Sequence, residues 1–268
     1  LNEKANKATT GYSTNGIPYF RLGNSSKTVV VFEGLNFDNN PPSGLILRLV
    51  AGDYKRLAEE FTVYSLGRKL HLPLGYSTRD MAKDYADMIK TEIGQPVDVI
   101  GLSTGGVIAQ YFALDYPELT RHLVLASTGY RLSENGKKLQ LLVGELARQK
   151  KYRKAFTAML DGLYPEGGMK KQFFKLMMWF LAKAPSEPSD LLVTIEAEDR
   201  HNFEEFLSQI KVPTLVIGGE TDFFYPIRKT AQEIPHAELI LYRDFGHNAW
   251  LDNRRQFQQD ILEFLKRE

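Results

Sequence analysis

Val97-Asp98-Val99-Ile100-Gly101-Leu102-Ser103-Thr104-Gly105-Gly106-Val107-Ile108-Ala109-Gln110-Tyr111-Phe112 joins a strand-like apolar run to a helix-forming run across a G-x-S-x-G pentapeptide. The first run has strand length and ends at glycine; the second continues to Tyr116 and stops at Pro117. A sharp strand-to-helix turn that presents Ser103 leaves no room for side chains two residues to either side, which accounts for Gly101 and Gly105. The hydroxyl then stands at the tip of a sheet, over a helix N-terminus whose field favours developing negative charge. That context makes Ser103 a candidate nucleophile rather than an incidental serine in a glycine-rich turn.

The same alternation extends in both directions. Residues 28–32 and 61–66 before it, and 122–126, 214–217 and 238–242 after it, are short runs rich in Val, Ile, Leu, Phe and Tyr. Their length and apolarity suit strands covered on both faces. Residues 18–22 read as another strand, with 9–13 paired to it across the turn Thr14-Asn15-Gly16. The spacing of apolar residues predicts helices over 45–60, 78–93, 105–116 and 256–265, with Gly94 ending the second. Strands alternating with helices predict an α/β fold, a mainly parallel sheet with helices on both faces. The alternation stops between Tyr130 and Glu205, where helical sequence is punctuated by Pro165-Glu166-Gly167-Gly168 and Pro185-Ser186-Glu187-Pro188. The expectation is one core domain, residues 1–129 and 206–268, carrying an all-helical cap inserted at 130–205.

A serine hydroxyl needs a base, most often a histidine oriented by a carboxylate. Of the five histidines, His247 follows the last predicted strand across Arg243-Asp244-Phe245-Gly246. His122 precedes a strand, His236 sits in a Pro-His-Ala turn, and His71 and His201 fall in loop or cap sequence. The acid is expected after the penultimate strand, where Gly218-Gly219-Glu220-Thr221-Asp222 offers Asp222, with Glu220 as its rival. The order Ser103, Asp222, His247 is that of a sheet-borne triad, at the edge where open parallel sheets bind ligands. Backbone N–H groups of Thr104 and of Leu35, in Glu33-Gly34-Leu35-Asn36, are the candidate donors to a tetrahedral oxyanion. Gly34 allows the close backbone approach this needs.

Composition narrows the chemistry. The 268 residues are 43% hydrophobic and 25% charged, which is ordinary globular composition. With 34 Lys and Arg against 33 Asp and Glu, the net charge of +1 argues against a nucleic-acid partner. There is no cysteine, which removes thiol catalysis and Cys-ligated metal centres. No run of apolar residues approaches the length of a membrane span.

These residues together resemble the α/β-hydrolase superfamily, in particular its compact, cap-bearing serine hydrolases of esterase type, along nearly the whole chain. The resemblance rests on Gly101–Gly106, on Val212-Pro213-Thr214-Leu215-Val216-Ile217-Gly218-Gly219-Glu220-Thr221-Asp222, and on Gly246-His247. It implies an eight-stranded, mostly parallel sheet with a nucleophile elbow at Ser103. In the implied triad Ser103 attacks a carbonyl, His247 removes and returns the proton, and Asp222 orients His247. No metal or organic cofactor is implied. One departure stands out: the family's oxyanion loop usually begins His-Gly, whereas here it begins Glu33-Gly34. The donor at Leu35 does not depend on that side chain, and Glu33 is expected either buried beside the site with a raised pKa or bonded to loop amides. A serine rather than an aspartate nucleophile argues against haloalkane dehalogenase and epoxide hydrolase chemistry.

Residues 173–181 are too continuously apolar for a helix wet on one side. They pack on the sheet domain or line a pocket, and Phe174, Met177, Met178 and Trp179 join Asn36 and Trp250 as candidate pocket residues. Charge in the cap is uneven, 11 Lys and Arg against 4 Asp and Glu over 131–175, then 2 against 7 over 183–205. The expected activity is hydrolysis of small to medium carboxylic esters with an apolar portion, through an acyl-enzyme. Lactones, thioesters, C–C bonds beside a carbonyl, and cofactor-free perhydrolysis call on the same triad; a ligand receptor on this fold is the alternative of another class. A small-molecule substrate, a monomer or homodimer, and a cytoplasmic location are expected, while Leu1 in place of an initiator Met leaves room for a removed targeting segment.

Overall fold

Alternate residues of Thr28–Phe32 enter two different cores, Val30 and Phe32 one and Val29 and Val31 the other, all of them buried. That two-residue period places a sheet between two helical layers. The strands are β1 (Thr9–Tyr12), β2 (Pro18–Leu22), β3 (Thr28–Phe32), β4 (Thr62–Leu66), β5 (Val97–Leu102), β6 (Thr120–Ala126), β7 (Thr214–Gly219) and β8 (Glu238–Tyr242). They form one sheet in the order β1-β2-β4-β3-β5-β6-β7-β8. β1 and β2 pair antiparallel, as do β2 and β4; every other pairing is parallel. The structure, a computed structural model, describes residues 8–165, 167–181, 184–185 and 187–267; the side chains of residues 170 and 178–181 lie outside the description.

The helices are α1 (Gly44–Asp53), α2 (Thr78–Met88), α3 (Thr104–Asp115), α4 (Glu134–Arg148), α5 (Tyr152–Leu163), α6 (Met169–Leu181), α7 (Pro188–Asp199), α8 (Ile227–Glu233), α9 (Ala249–Asp252) and α10 (Arg254–Leu265). α2, α3 and α8 supply Met81, Tyr85, Ile108, Phe112 and Ile227 to the core that holds Val30 and Phe32. α10 supplies Phe257, Ile261 and Phe264 to the core that holds Val29 and Val31. Ser77 starts α2 with a capping box shared with Asp80, and Gly94 at φ 70° ends its final π-turn. The helix expected over 45–60 is shorter. α1 stops at Asp53 and a single 3-10 turn, Leu57–Glu59, follows. The chain bends there because Tyr54 is drawn into the core and donates to Glu33 at 2.8 Å. No residue of α1 is buried.

α4 to α7 all lie between β6 and β7 in the chain and hold a small core of their own, Val143, Ala147, Ala155, Leu191 and Ile195. Leu35 and Phe37 pack against it, and Phe37 stacks on Phe156 with ring centroids 3.7 Å apart. The loop after β3 is therefore clamped between the sheet edge and the inserted helices. Among the described residues no helix is long and apolar enough to cross a membrane.

His201, just beyond α7, is stacked on Phe203 and meets the edge of Tyr111. Burial drives its pKa down from 6.5 to about 3. As pH falls through 6.5 the unfolded chain takes up this proton and the folded chain resists it, so stability is present above 6.5 and drains away towards 3. At about 1.4 kcal/mol per pH unit, the folded state is expected to lose about 2 kcal/mol from this group between pH 6.5 and 5. Urea unfolding at pH 7 and pH 5 is expected to show that much less acid destabilisation in His201→Gln than in the wild type.

Candidate active site

Ser103 follows β5 directly and has φ 52° and ψ −121°, a strained conformation for a residue with a side chain. The neighbouring glycines make that turn possible. A Cβ on Gly101 would lie 2.5 Å from Gly106 Cα, and one on Gly105 would lie 1.9 Å from the Phe32 carbonyl oxygen. The steric argument made for these two positions from the sequence is met by these distances. Ser103 thus occupies the N-terminal cap of α3, beyond the C-terminal end of β5.

Its hydroxyl Oγ lies 3.0 Å from His247 Nε2, and His247 Nδ1 lies 2.9 Å from Asp222 Oδ2. Asp222 Oδ1 accepts the backbone N–H groups of Phe224 (2.7 Å) and Tyr225 (3.0 Å), which locks the carboxylate in place. Only 7% of the His247 side chain and 2% of that of Asp222 are exposed, so the pair is shielded from solvent screening. Phe224 and Tyr225 lie against the His247 ring, with centroids 4.7 and 5.7 Å away. Glu220, the rival acid, instead pairs with Arg228 at 2.8 Å in an exposed position. His122 pairs with Asp98 and His71 with Glu187.

A cavity of about 180 Å³ opens over Ser103. Leu35, Asn36, Thr104 and Trp250, all singled out from the sequence, line it. Gly34 lies against the serine: a Cβ there would sit 3.4 Å from Ser103 Cβ. Phe174 and Met177 are not among its described lining residues; Phe174 stacks on Tyr164 instead. The side chains of Met178 and Trp179, the other two expected there, lie outside the described residues. α4 and α5 provide the wall in their place, through Gln140, Met159 and Leu163. No Lys or Arg occurs among the described lining residues.

Two carboxylates flank the site. Glu33 accepts hydrogen bonds from Tyr54 Oη and Ser65 Oγ, side chains rather than loop amides. Burial raises its pKa, against the pull of those two bonds and of Arg68. Glu198 of α7, which drew no attention in the sequence, accepts from Thr104 Oγ1 (2.9 Å), Gln140 Nε2 (2.5 Å) and Tyr225 Oη. Its pKa is likewise raised by burial. It ties the residue after Ser103 to α4 and to the loop carrying Asp222. The sequence around it, with Asp190 and Glu196 also nearby, carries no signal that singles it out. Among the described residues no cluster of three His, Asp or Glu is placed to hold a metal ion.

The alpha/beta hydrolase family model matches residues 37–258. A 2-hydroxy-6-oxononadienedioate/2-hydroxy-6-oxononatrienedioate hydrolase from Pseudomonas sp. is 26% identical over 97% of this chain and 95% of that protein. A poly(3-hydroxyalkanoate) depolymerase from Ectopseudomonas oleovorans is 30% identical over 72% of this chain and 69% of that protein. Among solved structures, an enol-lactonase from Burkholderia xenovorans LB400 matches with a TM-score of 0.78 at 20% identity, over 97% of this chain and 100% of that one. That last likeness is one of fold.

Proposed function

Since the chain belongs to the alpha/beta hydrolase family, we propose that it is a serine hydrolase that cleaves small to medium carboxylic esters with an apolar portion. The observation that carries the reading is the unbroken hydrogen-bond chain from Ser103 Oγ through His247 to Asp222. His247 Nε2 takes the hydroxyl proton as Oγ attacks the ester carbonyl carbon, while Asp222 holds the imidazole with Nδ1–H towards itself. The carbonyl oxygen gains negative charge and is received by the N–H groups of Leu35 and Thr104. Collapse of the tetrahedral intermediate expels the alcohol, protonated by His247, and leaves an acyl group on Ser103. Water, deprotonated by the same imidazole, then releases the acid. Residues 130–205 act as the cap, its helices α4 and α5 closing the acyl side of the cavity.

The lining favours neutral acyl groups. With Glu33 on the wall and no Lys or Arg among the described lining residues, a second carboxylate on the substrate would be desolvated without a counter-charge. That separates this chain's substrates from the dioates in the name of its Pseudomonas relative. The cavity is also below the ~300 Å³ at the low end of drug-sized sites. Turnover of p-nitrophenyl esters is therefore expected to peak among acetyl to hexanoyl groups, to fall at decanoyl, and to be at least tenfold slower for the hemisuccinate than for the uncharged butyrate. Saturation kinetics across that panel provide the check; a preference for the hemisuccinate would overturn the substrate class, and tight binding of the esters without turnover would favour a receptor.

A further inference from the structure

Arg68 has a place in the fold that the reaction above does not use. It follows β4 by two residues, beside the loop that leaves β3, and is 1% exposed, the largest of the fully buried side chains among the described residues. Its guanidinium donates from Nη1 to the Glu33 carbonyl oxygen at 3.1 Å and from Nη2 to the Gly34 carbonyl oxygen at 2.9 Å. These two carbonyls belong to the peptides whose N–H groups are those of Gly34 and Leu35.

A peptide bond is planar, and in its trans form the C=O and N–H point in opposite directions; there is no cis peptide among the described residues. Holding both carbonyls on the Arg68 side therefore turns the N–H groups of Gly34 and Leu35 away from it. Gly34 and Leu35 both line the cavity over Ser103, with Gly34 against the serine side chain. We propose that Arg68 is the positioning residue of the oxyanion pocket, fixing the Gly34–Leu35 peptide by its carbonyl end so that the Leu35 N–H faces the reacting carbonyl. The inference rests on the serine-hydrolase reading and adds a residue to it.

Two consequences follow from the chemistry of that contact. A cation bonded to the carbonyl end of an amide draws electron density from its nitrogen and makes the N–H a stronger donor. The rigid fork also prevents the loop from flipping, so the donor is already in place when charge develops and needs no reorganisation. Arg68 is itself fully buried, so water does not compete for its guanidinium. The charge itself acts at both neighbouring carboxylates, lowering the pKa of Glu33 and of Glu198 against the effect of burial.

The test uses Arg68→Met and Arg68→Lys, with turnover expressed per active site titrated by a p-nitrophenyl alkylphosphonate, which discounts misfolded molecules. Arg68→Met is expected to lose on the order of 100-fold in kcat, the range seen when one oxyanion donor is removed, with KM within a few-fold of wild type. Arg68→Lys is expected to retain an intermediate rate, because one ammonium cannot span both carbonyls as the fork does. Affinity for an alkyl trifluoromethyl ketone, whose adduct carries the oxyanion, is expected to fall in parallel with kcat/KM. If Arg68→Met does not fold, the lysine variant and the ketone carry the comparison. Titratable variants that keep kcat and ketone affinity within threefold of wild type would overturn the positioning role alone. Failure of the phosphonate to label Ser103 in the wild type would overturn the serine-hydrolase reading beneath it.

Discussion

Ser103→Ala is expected to lower kcat for p-nitrophenyl butyrate by between about 10⁴- and 10⁶-fold, leaving KM or ligand affinity close to wild type. The size follows from the loss of covalent catalysis, since what remains is the contribution of the oxyanion pocket and substrate positioning. Stability is expected to change little. The φ of 52° is as unfavourable for alanine as for serine, and the hydroxyl gives up its bond to His247 and its side-chain contact with Tyr225. Steady-state kinetics and thermal unfolding on the same preparation separate the two effects.

Asp222→Asn has the next largest expected effect, about 10⁴-fold in kcat, and its cause lies in which atom carries a proton. Asn Oδ1 can still accept the Phe224 and Tyr225 N–H groups that now bond Asp222 Oδ1, which leaves Nδ2 facing His247 Nδ1. A donor there forces the imidazole into the tautomer with Nε2–H, which points a donor at Ser103 where an acceptor is needed. The fold is expected to survive because every backbone partner is kept. Glu220→Gln, by contrast, breaks only an exposed pair with Arg228 and is expected to remain within threefold of wild type. Rates for the two variants, measured side by side, distinguish the acids: a large loss in Glu220→Gln with little in Asp222→Asn would reassign the role.

The parts of this molecule that were legible in the sequence are those whose signals are local. Short continuous apolar runs and their boundaries located the strands to within two residues at most ends, β5 and β8 among them. The G-x-S-x-G turn located Ser103 because part of its steric demand is local, Gly101 answering to Gly106, although Gly105 answers to Phe32 in a neighbouring strand. Asp222 and His247 were readable from their places just past strand ends. What was not legible depends on pairing between distant segments. Tyr54 breaks the helix expected over 45–60 by reaching Glu33, 21 residues earlier. Glu198 meets Thr104 across 94 residues and Gln140 across 58, and nothing in its own neighbourhood announces a partner. The apolar run at 173–181 misdirected the pocket assignment for a different reason. Phe173 and Leu176 are largely exposed and Phe174 stacks on Tyr164, whereas the less conspicuous Met159 and Leu163 of α5 face the cavity.

The triad accounts for the activity proposed above only if the Ser103 hydroxyl is a nucleophile held ready by His247. Intact-mass and peptide mass spectrometry after treatment with a p-nitrophenyl alkylphosphonate measures that directly. One phosphonyl group per chain is expected, carried on Ser103, with activity lost in step with labelling and no label on Ser103→Ala. A fully active enzyme after prolonged treatment, or a label carried stoichiometrically on another residue, would contradict it.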